Sequence, residues 1–112
     1  MSPDLESTAA ELSLTVVRDG AEVRVAADGE VDMSTADSLR DCLDELLDQK
    51  PEKVVVDLAG VTFLDSSGIA TLVRAYNRAI NQGAGLNVVN CQANVRRVLE
   101  LTGLLAVMTE GT

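Results

Sequence analysis

Apolar positions divide this chain into alternating runs, one unbroken β-branched run and several helical stripes. Leu12, Leu14 and Val16 alternate with Ser13, Thr15 and Val17, which predicts a strand. Asp19-Gly20 is a hairpin signal. Val23, Val25 and Ala27 then alternate with Glu22, Arg24 and Ala26, giving a second, antiparallel strand. Val54, Val55 and Val56 follow one another without alternation, which suits a strand covered on both faces, as in a parallel sheet. The central strand is therefore predicted over 53–58, with 59–64 a short connection in which Val61 and Phe63 pack inward. A further strand is expected over 86–91 and a last one over 104–108.

The helical stripes separate these strands. Ser34 followed by Asp37 reads as a capping-box variant that opens a first helix. Ala36, Leu39, Leu43, Leu46 and Leu47 form its inner face, and Arg40, Asp41, Asp44, Glu45 and Asp48 its solvated face; Pro51 ends it. Ile69, Leu72, Val73, Tyr76 and Ile80 recur at helical spacing and predict a second helix over 67–82, closed by Gly83. Arg74 and Arg78 lie one turn apart on its outer side and read either as part of a partner surface or, preferred, as solubilising cations. Val95, Val98 and Leu99 face inward on a short third helix, with Arg96 and Arg97 outward and Gly103 at its end. The fold class is α/β: a small mixed β-sheet, an N-terminal antiparallel hairpin followed by parallel strands, with helices packed on it. Residues 1–10 are small, polar and acidic and read as a flexible tail; 11–112 form a single domain.

Charge narrows the partners. The sequence holds 18 acidic and 9 basic side chains, a formal net charge of −9. Nucleic acid and anionic membrane surfaces select basic patches, so no nucleic-acid and no membrane partner is expected. A basic protein partner fits the charge, and simple solubility fits it equally. Cys42 and Cys91 are far apart and form no CxxC pair, as expected of small buried residues in a reducing compartment. The opening residues carry neither a charged n-region nor an apolar h-region, and no apolar run is long enough to span a bilayer. A cytoplasmic location is expected.

Chemistry narrows further. The sequence has no histidine, which excludes a Ser-His-Asp or Cys-His mechanism and most zinc sites. No lysine stands three residues after Ser66, and Gly83-Ala84-Gly85 lacks the Gly-Lys-Ser/Thr ending of a phosphate loop. Asp28, Glu30 and Asp32 alternate without the rest of a calcium loop. Neither catalysis nor a cofactor or metal is expected. What remains is Asp65-Ser66-Ser67-Gly68, small polar residues where a buried strand turns into a helix. Asp and Ser are ordinary N-caps there, and a helix N-terminus also favours an anion.

The whole stretch of 54–80, a valine strand and hydrophobic segment running into D-S-S-G and a helix, resembles the STAS domain of bacterial anti-sigma factor antagonists. Gly29-Glu30-Val31-Asp32 matches the family's G-E-x-D segment. The resemblance covers most of the chain from about Leu12, although the family's usual further C-terminal helix has no counterpart in the predicted elements. It implies that Ser66 is phosphorylated by an anti-sigma factor that is also a serine kinase and supplies ATP and magnesium. It implies too that a serine phosphatase resets the cycle. Asp32 then lies beside Ser66, and Asp32, Asp65, Ser66, Ser67 and Gly68 form the partner-binding surface. The alternative within the same family is a scaffold or ligand-sensing module in a stress-signalling assembly, never phosphorylated.

Overall fold

The computed structural model describes residues 12–104. Their elements run β1 (Leu12–Asp19), β2 (Glu22–Val31), α1 (Ala36–Asp48), β3 (Lys53–Leu64), α2 (Ser66–Asn81), β4 (Gly85–Val89) and α3 (Ala93–Leu101). The four strands form one sheet in that order; β1 pairs antiparallel with β2, and β2, β3 and β4 are mutually parallel. The expected mixed α/β architecture is the one found. The hairpin turns through Gly20 and Ala21, and Gly20 takes the positive φ of +65° that the tight reversal needs.

The valine run sits where its composition placed it. Val54, Val55 and Val56 are all buried, each flanked by a strand on either side. The parallel crossovers from β2 to β3 and from β3 to β4 pass through α1 and α2, and right-handed connections place both helices on one face. Leu39, Leu43 and Leu47 of α1 are fully buried against Val25, Val54, Val56 and Leu58 of the sheet in one apolar cluster. Each such leucine contributes about 1.5–3 kcal/mol. With almost no aromatic residues, the core is aliphatic throughout.

Several sequence expectations need correction. The central strand does not end at 58: β3 continues to Leu64 through irregular pairing beside Asp28 and Gly29, so 59–64 is strand rather than connection. Val61 is buried as expected, but Phe63 is 45% exposed, because the register shift turns it away from the helices. Ser34 does not open α1; Thr35 is the N-cap and Ala36 the first helical residue. The α2 stripe is rotated. Its most buried residues are Gly68, Thr71, Leu72, Ala75 and Ala79, while Ile69, Val73 and Tyr76 are half-buried and Ile80 is 51% exposed. The small residues let the helix lie close to the sheet, and the larger ones fill the flanks. Cys42 and Cys91 are free and only half-buried, and burial raises both thiol pKa values. Leu104 is helical rather than extended; the rest of the predicted strand at 104–108 and the predicted tail at 1–10 lie outside the described residues.

Arg74 and Arg78 do more than solubilise. Arg74 pairs with Asp44 of α1 at 2.8 Å, and Arg78 reaches both Asp44 and Asp48. The supposedly solvated acidic face of α1 thus holds the two crossover helices together. At its C-terminus α2 closes with the Gly83 N–H on the Ile80 carbonyl and the Ala84 N–H on that of Ala79, Gly83 adopting a φ of +80°.

On β2 and β3 a polar pair bridges the sheet: Arg24 meets Asp57 at 3.0 Å. Partial burial pushes the Asp57 carboxyl upward, but the Ala59 N–H, the Arg24 guanidinium and the Asn90 side chain outweigh it and hold its pKa below the usual value. A lowered carboxylate pKa contributes stability above the unfolded-state value, and that contribution is lost as pH falls through the folded-state value. In urea titrations at a series of pH values, the stability advantage of the wild type over Asp57→Asn is expected to shrink as pH drops below the ordinary aspartate pKa. A difference independent of pH would show that the carboxylate charge is not what matters.

Candidate functional site

Two parallel strands end side by side and build the site. Val31, the last residue of β2, pairs with Leu64, the last of β3. One step further the Asp65 N–H donates to the Val31 carbonyl at 3.1 Å. Asp32 and Asp65, though far apart in sequence, are thereby carried to the same edge of the sheet, at its carboxyl end, where open α/β sheets commonly place their sites. Asp32, expected from the resemblance beside Ser66, thus follows the strand end paired with the one that leads into Ser66.

No loop separates β3 from α2. Asp65 ends the strand and caps the helix at once: its Oδ1 accepts from the Ser67 N–H at 2.8 Å and from the Gly68 N–H at 3.3 Å. Ser66 is the first residue of the helix, one earlier than the sequence predicted, and its side chain is exposed. Among the described residues its hydroxyl has no hydrogen-bond partner. Ser67 is half-buried, and its carbonyl accepts from the Thr71 hydroxyl at 3.0 Å. The four motif residues therefore differ in kind: Ser66 faces out, Asp65 turns back on the backbone, Ser67 is partly covered and Gly68 is buried.

Gly68 was expected on the partner surface, and its burial corrects that. A Cβ built on it would lie 2.4 Å from Leu64 Cδ1 and 2.8 Å from Val31 Cγ1. The glycine allows the first turn of α2 to press on the paired strand ends, so it sets the position of Ser66 without touching a visitor.

Asp32 is held as firmly. Its Oδ1 accepts from the Ser34 hydroxyl at 2.7 Å, the Ser34 N–H at 2.9 Å and the Thr35 N–H at 3.2 Å. The Ser34 hydroxyl first, then the two N–H groups, keep its carboxyl below the usual range, so it is charged at neutral pH. Thr35, which the sequence reading passed over, completes the lock. Its buried hydroxyl donates to the Glu30 carbonyl at 2.7 Å and accepts from the Asp32 N–H at 2.9 Å. A threonine three residues after the acid was the available signal, obscured by taking Ser34 as the cap.

Sequence reasoning also missed a clamp on the far side of β3. β4 last pairs at Asp57 with Val89, so among the described residues the rest of β3 has no strand on that edge. Gln92 Nε2 donates to the Ala59 carbonyl at 2.8 Å, and Asn94 Nδ2 to the Thr62 carbonyl at 2.7 Å. Two side-chain amides from the start of α3 take the place of a neighbouring strand. Met33 and Phe63, 82% and 45% exposed, flank the strand ends. Among the described residues no cluster of His, Cys, Asp and Glu is fit to hold a metal ion, and no helix is long and apolar enough to cross a membrane.

Residues 13–111 match the family model described as the STAS domain. An anti-sigma F factor antagonist of Paenibacillus polymyxa is 31% identical over 85 residues, covering 75% of this chain and 73% of that one. An anti-sigma-F factor antagonist of Mycobacterium tuberculosis is 31% identical over 93 residues, covering 83% and 75%. The crystal structure of an anti-sigma factor antagonist from Mycobacterium paratuberculosis superposes with a TM-score of 0.75 at 28% identity, over 88% of this chain and 83% of that one.

The close approach at Gly68 yields a test. Gly68→Val is expected to cost about 1–3 kcal/mol by overpacking against Val31 and Leu64. That is a fall in Tm of several degrees for a domain of this size. A melting curve that matches the wild type would show that the first turn of α2 is not seated as described.

Proposed function

The chain belongs to the STAS domain family, and on that footing we propose that it is an anti-sigma factor antagonist switched by phosphorylation of Ser66. The unmodified form docks on an anti-sigma factor that carries serine kinase activity, through the surface around Asp32, Asp65, Ser66 and Ser67. Docking frees the sigma factor. The kinase, which brings ATP and magnesium, then phosphorylates Ser66 and the complex separates; a serine phosphatase restores the hydroxyl. One observation supports the reading above all: Ser66 is exposed at the first helical position, directly after Asp65, whose N–H bonds the strand end that leads into Asp32.

Electrostatics gives the direction of the switch. Phosphoserine adds about −1.5 to −2 charges at neutral pH. The helix N-terminus offsets some of that charge, by about 0.3–1 kcal/mol, and Asp65 already occupies the N–H groups of Ser67 and Gly68. The fold therefore tolerates the phosphate, while Asp65 and the ionised Asp32 make its surroundings more negative. Bringing that surface against a partner suited to the unmodified form costs several kcal/mol in like-charge contact. At about 1.4 kcal/mol per factor of ten, affinity falls by two or three orders of magnitude. Among the described residues no side chain hydrogen-bonds the Ser66 hydroxyl, and Asp65 is engaged with the Ser67 and Gly68 N–H groups, so the base is assigned to the kinase.

The test combines modification with binding. Incubation with ATP, magnesium and each purified anti-sigma factor kinase of the source cell is expected to place one phosphate on the peptide containing Ser66, and none on Ser66→Ala. In calorimetry Ser66→Ala is expected to bind its kinase as tightly as the wild type, and Ser66→Glu about a hundredfold more weakly. Equal affinity of the two variants would overturn the switch. Absence of the phosphopeptide with every kinase would favour the unphosphorylated scaffold.

A further inference from the structure

The core of this protein is built from Leu, Val and Ala, yet its single phenylalanine and a methionine stand in solvent at the site. Met33 lies two residues past Val31, and Phe63 one residue before Leu64, the pair that closes the sheet. Chain geometry keeps their Cα atoms within about 15 Å of each other. Ser66 follows the same pair by two residues. A partner surface of about 800 Å², the usual footprint of one side of an interface, spans all three.

Both apolar side chains rise from locked backbone. Met33 sits inside the turn that Asp32 and Thr35 tie through the Ser34 and Thr35 N–H groups and the Glu30 carbonyl. Phe63 follows Thr62, whose carbonyl takes the Asn94 amide and whose hydroxyl reaches the Gly29 carbonyl at 3.4 Å. A fixed backbone spares the cost of ordering the chain on binding, so only the side-chain torsions of Met33 and Phe63 remain to be fixed, few in the phenylalanine and more in the methionine, which can adapt to its recess.

Charge decides the partner. Glu30 pairs with Phe63, Asp32 precedes Met33, Asp65 follows Phe63 by two residues and Asp28 pairs with Gly60 further back on the same strands; among the described residues none of the four forms an ion pair with a basic side chain. The guanidinium groups that pair with carboxylates do so elsewhere: Arg24 on the sheet, and Arg40, Arg74, Arg78 and Arg96 on the helices. A second copy of this acidic chain would meet like charge here. We propose that Met33 and Phe63 are the two apolar anchors of the docking surface and fill apolar recesses rimmed by Lys and Arg on the anti-sigma factor. This rests on the function proposed above. In that arrangement the anchors set how long the complex lasts, the carboxylates set how fast it forms, and Ser66 decides whether it persists.

Binding kinetics against the purified anti-sigma factor kinase of the source cell separates these roles. Met33→Ser and Phe63→Ser are each expected to raise Kd at least tenfold through faster dissociation. Phe63→Leu is expected to restore most of the loss, and Val17→Ser, an exposed apolar residue on β1, to change nothing. Glu30→Gln is expected to slow association severalfold at low salt with dissociation unchanged. Thermal melts establish that each variant is folded. Wild-type affinity in both Met33→Ser and Phe63→Ser would overturn the anchors while leaving the antagonist function standing. If the wild type binds no such kinase, the function proposed above falls, and the anchors with it.

Discussion

One residue has to finish a strand and begin a helix with nothing in between. Asp65 donates its N–H to Val31 across the sheet and accepts the Ser67 and Gly68 N–H groups on its side chain. Both demands are met only if β2 and β3 end level with each other and the first turn of α2 lies directly on their ends. Gly68 makes the second condition possible, since any side chain there would collide with Val31 and Leu64. The exposed position of Ser66 follows from these two constraints. It occupies the one site in the first turn that neither caps nor packs.

The same economy holds the other half of the site. The turn between β2 and α1 is short and tied by several hydrogen bonds, with Asp32 and Thr35 exchanging contacts with the backbone around them. Asp32 serves the turn through Oδ1, and its charge is stabilised by the bonds that fix its place. Structure and electrostatics are served by one carboxylate, so the negative field at the site is built into the fold and needs no further residue to maintain it.

Much of this was legible in the sequence. Unbroken valines announced the buried parallel strand, alternation gave the hairpin, and leucines at helical spacing gave α1. The D-S-S-G and G-E-x-D motifs suggested a site only through the family they resemble, and the structure carries both motifs to neighbouring strand ends. What escaped were features set by contacts between distant segments. The lower edge of β3 depends on Gln92 and Asn94, more than 30 residues away, so strand and loop were indistinguishable at 59–64. Phe63 looked buried because hydrophobicity was weighed without the register shift that turns it outward. The rotation of α2 depended on small residues, Gly68, Ala75 and Ala79, which a count of large apolar side chains overlooks. Arg74 and Arg78 looked idle because their partners lie on another helix.

That last network bears on how the site responds to force. α1 starts a few residues after Asp32 and α2 starts at Ser66, so each half of the site is the tip of one helix. The bridges from Asp44 and Asp48 to Arg74 and Arg78 join the second halves of the two rods, two turns and more behind their tips. Because both rods also share one apolar cluster with the sheet, tilting either would strain these bridges and that packing together, which favours a platform over a pair of jaws.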